Sequence, residues 1–388
     1  MKYAKICSVV MVCILFFGGC SKGDPVENLS ETPNMVVDEN SEGGLPENTA
    51  IDDNKNRSHL SYEITDNIRI DADVSGYSKD AKIYEAVKKE FSSDTLTKYF
   101  FSELSQIKQN DNPNGTDLTA EDGSSLFVGK GCFDYSAGNS IEDIKYLIQG
   151  AYFSELSYQN KNPETRQKLC EDQVVKDALE RIEQLYCPED NERIELLNGV
   201  KIESKKLLDR QALEIEKFDL QNLIDMGKAH KVDKTMIPKD CFYLILGVSR
   251  NEIPVIGIQE PYVSTADEDA IYENTSIEVL VEPTGIKSIR VAGAYTCTES
   301  ETADVLPLEE ICNTIKKKYD MQILTSEHLI TKVWLEYVFI PDFTAKDLLE
   351  EGKLQPYWCF EIMDQEDPEE SNAERINAVS GGDLTYGE

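Results

Sequence analysis

The apolar positions of this chain change period several times, and each change marks an element. Tyr62, Ile64, Ile68, Ile70 and Val74 fall at even spacing, which predicts one or two strands over Tyr62–Val74. Ile83, Tyr84, Val87 and Phe91 then share one face of a predicted helix, and a less regular helical stretch runs from Thr95 to Ile107. Asn110–Gly123 is polar and reads as a loop, with a short strand after it at Ser124–Val128. Ile144, Leu147, Ile148 and Tyr152 predict a helix over Ile141–Leu156. The clearest helical stripe is Val174, Val175, Ala178, Leu179, Ile182, Leu185 and Tyr186, and Pro188 stops it. Ile194–Met226 is mixed. Cys241–Val248 and Ile253–Ile258 read as a hairpin turning through Ser249–Glu252.

The second half alternates more plainly. Ile277, Val279 and Val281 sit between Glu278 and Glu282 as a half-buried strand, Pro283-Thr284-Gly285 turns it, and Ile286–Ala294 returns. Pro307 opens a helix with Leu308, Ile311, Ile315 and Tyr319 on its inner face. Glu309 and Glu310 in its first turn and Lys316, Lys317 and Lys318 in its last complement the helix dipole. Strands follow at Thr331–Ile340, Tyr357–Met363 and Ile376–Val379, with an acidic loop at Asp364–Ala373. This order predicts an α+β fold in two domains, 60–260 and 261–388, the second an antiparallel sheet with one packed helix.

Ahead of the folded body, an apolar run from Ile6 to Phe17 follows Lys2 and Lys5. It is shorter than the roughly 20 residues a membrane span needs and reads as a secretory signal. Its end, Phe17-Gly18-Gly19-Cys20, resembles the lipobox of bacterial lipoproteins, with Phe17 in place of the usual Leu. The resemblance implies a signal peptide over 1–19, cleavage between Gly19 and Cys20, and a diacylglyceryl group on Cys20. Two acyl chains make a stable anchor where one is marginal. Residues 20–59 are rich in Asp, Glu, Asn, Ser, Gly and Pro and read as a disordered acidic tether, with a reach of roughly 35 Å. The expected location is the extracytoplasmic face of the cell membrane.

The charge narrows the functions. The whole chain carries −34, and removing a leader with two lysines and no acid makes this −36. Such an excess of carboxylates opposes nucleic-acid binding and opposes adsorption on an anionic membrane surface. Attachment is therefore expected from the lipid.

At the other end, Leu354-Gln355-Pro356-Tyr357-Trp358-Cys359-Phe360-Glu361 and Ile376-Asn377-Ala378-Val379-Ser380-Gly381-Gly382-Asp383-Leu384 resemble the closing strands of PepSY-like and YycI-like domains. The chain is also similar to clostridial lipoproteins that join a lipobox and an acidic tether to such a module. The long Asp364–Ala373 insertion departs from the compact form. The resemblance implies non-catalytic work outside the cytoplasm: restraining a sensor kinase or peptidase, or holding an envelope protein at the membrane. It carries no catalytic residues. A receptor for a cation, sugar or peptide is the alternative.

The remaining chemistry is sparse, and neither a cofactor nor enzymatic activity is expected. His59, His230 and His328 are scattered, and Glu327-His328 does not extend to a zinc-protease helix motif. No G-x-S-x-G is present. Gly123 and Gly129-Lys130 imitate a phosphate loop with the spacing one too long and Gly131 in the Ser/Thr position. Asn110, Asn112, Asn114, Gly115 and Glu121 fall at calcium-loop positions, but Asn110 replaces a carboxylate and a plain Asn/Gly turn explains them. Cys132, Cys170, Cys187, Cys241, Cys297, Cys312 and Cys359 form no CxxC and read mainly as small apolar residues. A Cys170–Cys187 bridge is the one pairing to test, and a long helix between them would keep them apart.

Overall fold

A computed structural model describes residues 58–76, 81–102, 106–156, 163–218, 220–255, 263–264, 269–270, 275–302, 304–320, 324, 326–342, 350–366 and 371–382. The signal, Gly19, Cys20 and nearly all of the tether lie outside them. In chain order the elements are β1 (Ser58–Thr65), β2 (Ile68–Ser75), β3 (Lys82–Lys88), α1 (Ser93–Phe100), β4 (Ile107–Asn112), β5 (Gly115–Ala120), β6 (Ser125–Gly129) and β7 (Cys132–Ser136). Then come α2 (Ile141–Ala151), α3 (Phe153–Leu156), α4 (Pro163–Glu171), α5 (Gln173–Tyr186), β8 (Glu192–Lys201), α6 (Ser204–Lys217) and α7 (Leu220–Asp225). The rest are β9 (Phe242–Arg250), β10 (Ile253–Val255), β11 (Val263–Ser264), β12 (Asp269–Ala270), β13 (Ser276–Glu282), β14 (Gly285–Ala292), β15 (Tyr295–Thr302), α8 (Leu308–Asp320), β16 (His328–Pro341), β17 (Glu351–Asp364) and β18 (Ser371–Asn377).

The fold is α+β. Its spine is the hairpin of β16 and β17, each 14 residues long and paired along its length. Both strands change partners midway. The first half of β16 takes β2 in parallel, and its second half meets β10 at Tyr337. On β17, residues 351–354 pair with β3 and residues 357–363 with β18. From β10 the ladder runs on through β9, β13, β14, β7, β6 and β5 to β4, while β15 closes the other end beside β3.

Alternation sorts the side chains. Leu244 and Leu246 of β9 enter one core with Val175, Ala178 and Ile182 of α5, while Tyr243 enters another with Ile144 and Ile148 of α2 and Leu207 of α6. Helices thus cover both faces of β9 and β13. At the far end, Ile311, Cys312 and Ile315 of α8 join Trp358, Phe360 and Ile376 in the larger core, as the C-terminal pattern predicts. The β9–β10 turn is tighter than expected: Asn251 and Glu252 alone make it, at φ 49° and 67°. Both values lie in the left-handed region that a two-residue hairpin matching strand twist requires.

The structure corrects several expectations. The predicted helix from Ile83 to Phe91 is the strand β3, since Tyr84 and Ala86 turn inward while Val87 is 46% exposed. Strands on both sides, β15 and β17, override the helical spacing. The expected Asn110–Gly123 loop is mostly the β4–β5 hairpin, whose backbone is paired onward to β6. The helix expected over Ile141–Leu156 is interrupted at Tyr152, and β15 was not predicted. The division into 60–260 and 261–388 is crossed by the β9–β13 and β10–β16 ladders, and residues 50–388 form one compact unit. A boundary placed where the alternation becomes plainer misses ladders formed across it.

Candidate binding cleft

The cleft of interest lies on the outward side of β3, β17 and the end of β16, with a volume of about 470 Å³. Strand alternation builds it. Because Tyr84 and Ala86 point to the core, Glu85 and Val87 point out. Register places Glu85 beside Lys353 and Val87 beside Glu351, and Lys353 is in turn opposite Ile340. The Lys353 ammonium stands 3.4 Å from the Glu85 carboxylate. Asp342 and Glu351 add two more acids to the lining. Among the described lining residues carboxylates therefore outnumber cations, while Val87 and Ile340 supply apolar surface. The floor is backbone at Gly352, where an added Cβ would come within 2.3 Å of the Ile340 carbonyl oxygen.

The wall of this cleft is fixed from behind. Tyr84, on the inner side of β3, accepts a hydrogen bond from Asn251 Nδ2 at 2.6 Å and lies 5.1 Å under the Arg250 guanidinium. It also meets Tyr337 edge-on at 5.5 Å, and the Tyr337 hydroxyl accepts from the Lys82 backbone N–H. Arg250 is itself held by Glu189 at 2.8 Å, by Asn191 at 2.7 Å and by Glu192 at 3.3 Å. Glu192 further accepts from the Tyr186 hydroxyl and the Glu189 backbone N–H, with Lys89 3.7 Å away. Burial, then the Glu192 charge, hold the Tyr186 phenol well above its ordinary pKa. Such a network fixes geometry more than it adds stability.

Beyond the cleft, the outward side of the same hairpin is closed over. Val338, Tyr357 and Cys359 form a small buried cluster there. Beside it the fully buried Glu336 accepts from the Trp334 indole at 2.8 Å and from Arg375 Nε at 2.7 Å. One face thus passes from sealed to open along two strands.

The residues singled out by sequence do not converge. His59 lies 3.0 Å from both Asp71 and Asp73, His230 lies 2.9 Å from Asp143, and His328 lies 3.1 Å from the Ser326 carbonyl. The calcium-like positions Asn110, Asn112, Asn114 and Gly115 belong to the β4–β5 hairpin, and Asn112 donates to Asp117. Cys132, Cys170, Cys187, Cys241, Cys297, Cys312 and Cys359 are all free thiols, and the 14-residue α5 separates Cys170 from Cys187. Burial pushes Cys241 and Cys297 up to about 12 and Cys312 up to about 11, so these thiols stay protonated at neutral pH.

The cleft was not foreseen, because its β3 wall read as helix. The signal that marks it is the alternation of Glu85 and Val87 with Tyr84 and Ala86. Chemically, the described lining residues include no histidine, cysteine, serine or threonine. It offers acceptors for an ammonium or guanidinium group next to a short apolar strip.

The chain is an α+β protein built on a forked strand hairpin. It is similar in fold to a crystal structure of an uncharacterized protein from Eubacterium rectale ATCC 33656, with a TM-score of 0.53 and 11% identity. That likeness covers 86% of this chain and 96% of the other. Comparison with protein-family profiles and with curated proteins finds no match. No described helix is long and apolar enough to cross a membrane.

Proposed function

We propose that this protein is a lipid-anchored binding module of the cell envelope, attached through Cys20 at the extracytoplasmic face. It holds a protein partner through the cleft of β3, β16 and β17. The observation that carries the reading is the acidic cleft itself: among the described lining residues, carboxylates stand around one lysine on paired strands. The partner is expected to present a lysine or arginine beside a small apolar residue. A sensor kinase or peptidase of the envelope fits the resemblance of the C-terminal strands to PepSY-like and YycI-like domains.

The test is photocrosslinking in intact cells from a reactive residue at position 87, combined with Glu85→Lys and with Cys20→Ala. A single membrane protein should be trapped from position 87 and lost with Glu85→Lys. Labelled fatty acid should enter the wild type and not Cys20→Ala. A protein that is lipidated and surface-displayed yet traps nothing from position 87 rules out the cleft as the binding surface.

A second reading is a receptor for a small cationic ligand, and the cleft volume favours it, lying within the usual ligand range of roughly 300–1,000 Å³. A melting shift with amines or basic peptides, absent in Glu85→Lys, separates it from the first.

A further inference from the structure

The net charge of −34 is not spread evenly. Residues 201–240 hold nine Lys and Arg against eight Asp and Glu, so this stretch is slightly cationic in a strongly anionic chain. Between 228 and 239 the balance is Lys228, Lys231, Lys234 and Lys239 against Asp233 alone, and all four lysines are exposed. None of them makes an ion pair among the described residues.

The same segment carries the exposed apolar side chains. Phe218 at the end of α6 is 57% exposed and Met226 after α7 is 58% exposed, with Leu223 and Met236 also open to solvent. They are not loose ends. Val232 is buried, and its backbone N–H and C=O bond to Gln211 of α6 at 2.7 and 2.8 Å. Ile237 is buried as well, His230 is tied to Asp143 of α2, and the Lys228 backbone N–H returns to the Leu223 carbonyl. Anchored from below at Val232 and Ile237, the segment presents lysines and large apolar side chains outward.

We infer that this cationic, apolar surface of α6, α7 and residues 226–239 docks on an anionic lipid bilayer. Lysines interleaved with exposed Phe, Leu and Met are the chemistry of an interfacial membrane contact: the apolar groups enter the headgroup boundary and the ammonium groups meet lipid phosphates. The overall charge opposes adsorption, but screening limits that repulsion to roughly 8–10 Å, so the local balance decides a surface contact. The biological setting rests on the lipid-anchored reading. Docking would lay the body on the membrane that the Cys20 lipid enters.

The test does not use the anchor. A chain beginning at Ser21 keeps the whole compact unit of residues 50–388. Its co-sedimentation with phosphatidylglycerol vesicles is compared with phosphatidylcholine vesicles, at low and high salt. Binding should be selective for phosphatidylglycerol and salt-sensitive. Lys228→Glu, Lys231→Glu and Lys234→Glu together should weaken it more than about tenfold. Met226→Trp supplies a second readout, a blue shift of indole emission on phosphatidylglycerol only. No binding to phosphatidylglycerol, binding unchanged in the triple variant, or a patch that serves only to pair two copies in sedimentation velocity each overturns the inference. Failure here leaves fatty-acid labelling of Cys20 and trapping from position 87 untouched, so the two readings fail separately.

Discussion

Arg250 and Glu192 face each other at 3.3 Å with side chains only 1% and 3% exposed. Lys89 approaches the same carboxylate at 3.7 Å. Removing the carboxylate leaves Lys89 without its ion-pair partner and Arg250 with Glu189 as its one remaining carboxylate beside the Asn191 amide, both in a poorly solvated place. Glu192→Ala is expected to destabilise the fold by about 3 kcal/mol, measured by urea unfolding. A loss below about 1 kcal/mol would show that water or rearrangement replaces Glu192.

The Gly352 floor gives a steric prediction. A Cβ there meets the Ile340 carbonyl oxygen at 2.3 Å and Pro341 Cα at 2.8 Å, both backbone atoms of the facing strand. Gly352→Ala should cost about 1–3 kcal/mol and distort the cleft. Amide exchange should rise at Ile340 and Lys353 first. Unchanged exchange and stability would mean that β16 and β17 can separate here without loss.

Protonation of His59 ties the start of β1 to β2. Its hydrogen bond to Asp73 raises its pKa above 6.5; desolvation, next in size, opposes the rise, and the hydrogen bond to Asp71 and the charges of both carboxylates add to it. The charged form is therefore favoured by folding. Its contribution is complete below the unfolded value near 6.5 and fades as pH rises through the higher folded value. An NMR titration of the imidazole should give a midpoint above 6.5, returning towards it in Asp73→Asn. A wild-type midpoint at or below 6.5 would refute the clamp.

Thiol accessibility divides the cysteines. Cys187 is exposed, whereas Cys241, Cys312 and Cys359 are buried, and burial raises their pKa values together with that of Cys297. With iodoacetamide at pH 8, native protein should be alkylated first at Cys187, and Cys241, Cys312 and Cys359 should react only after unfolding. Mass mapping of the adducts checks this. Early modification of Cys359 would show that the β16–β17 face opens in solution.

Elements whose own residues fix their period were legible. The α5 stripe, the β13–β14 hairpin, α8 and the β16–β17 pair follow from spacing, turn residues and dipole charges, whereas β18 begins inside the expected acidic loop and keeps only Ile376 and Asn377 of the strand expected over Ile376–Val379. The misses share a cause. β3 carries a pattern compatible with either period, and only its neighbours β15 and β17, distant in sequence, decide it. β4 is a polar strand at the edge of the sheet, and β5 beside it buries only Leu118 and Ala120, too short an alternation to stand out from its polar neighbours.

The candidate surfaces were harder to read. Arg250 looks like a turn residue in sequence, and nothing local shows that Glu189, Asn191 and Glu192 will bury it. The cleft depends on strands paired across most of the chain. The overall charge also concealed a cationic segment, because a sum over 388 residues hides a reversal confined to 40.

The forked hairpin also sets an order in time. The Tyr337 hydroxyl accepts from the Lys82 backbone, 255 positions earlier, and β2 waits for β16 as β3 waits for β17. A chain emerging N-terminus first holds these early strands with open edges until β16 and β17, from residue 328 onward, have appeared. Such edges invite pairing with other chains. Completion of this body thus waits for β16 and β17, and any helper that shields nascent strands acts on β2 and β3 across the synthesis of everything between.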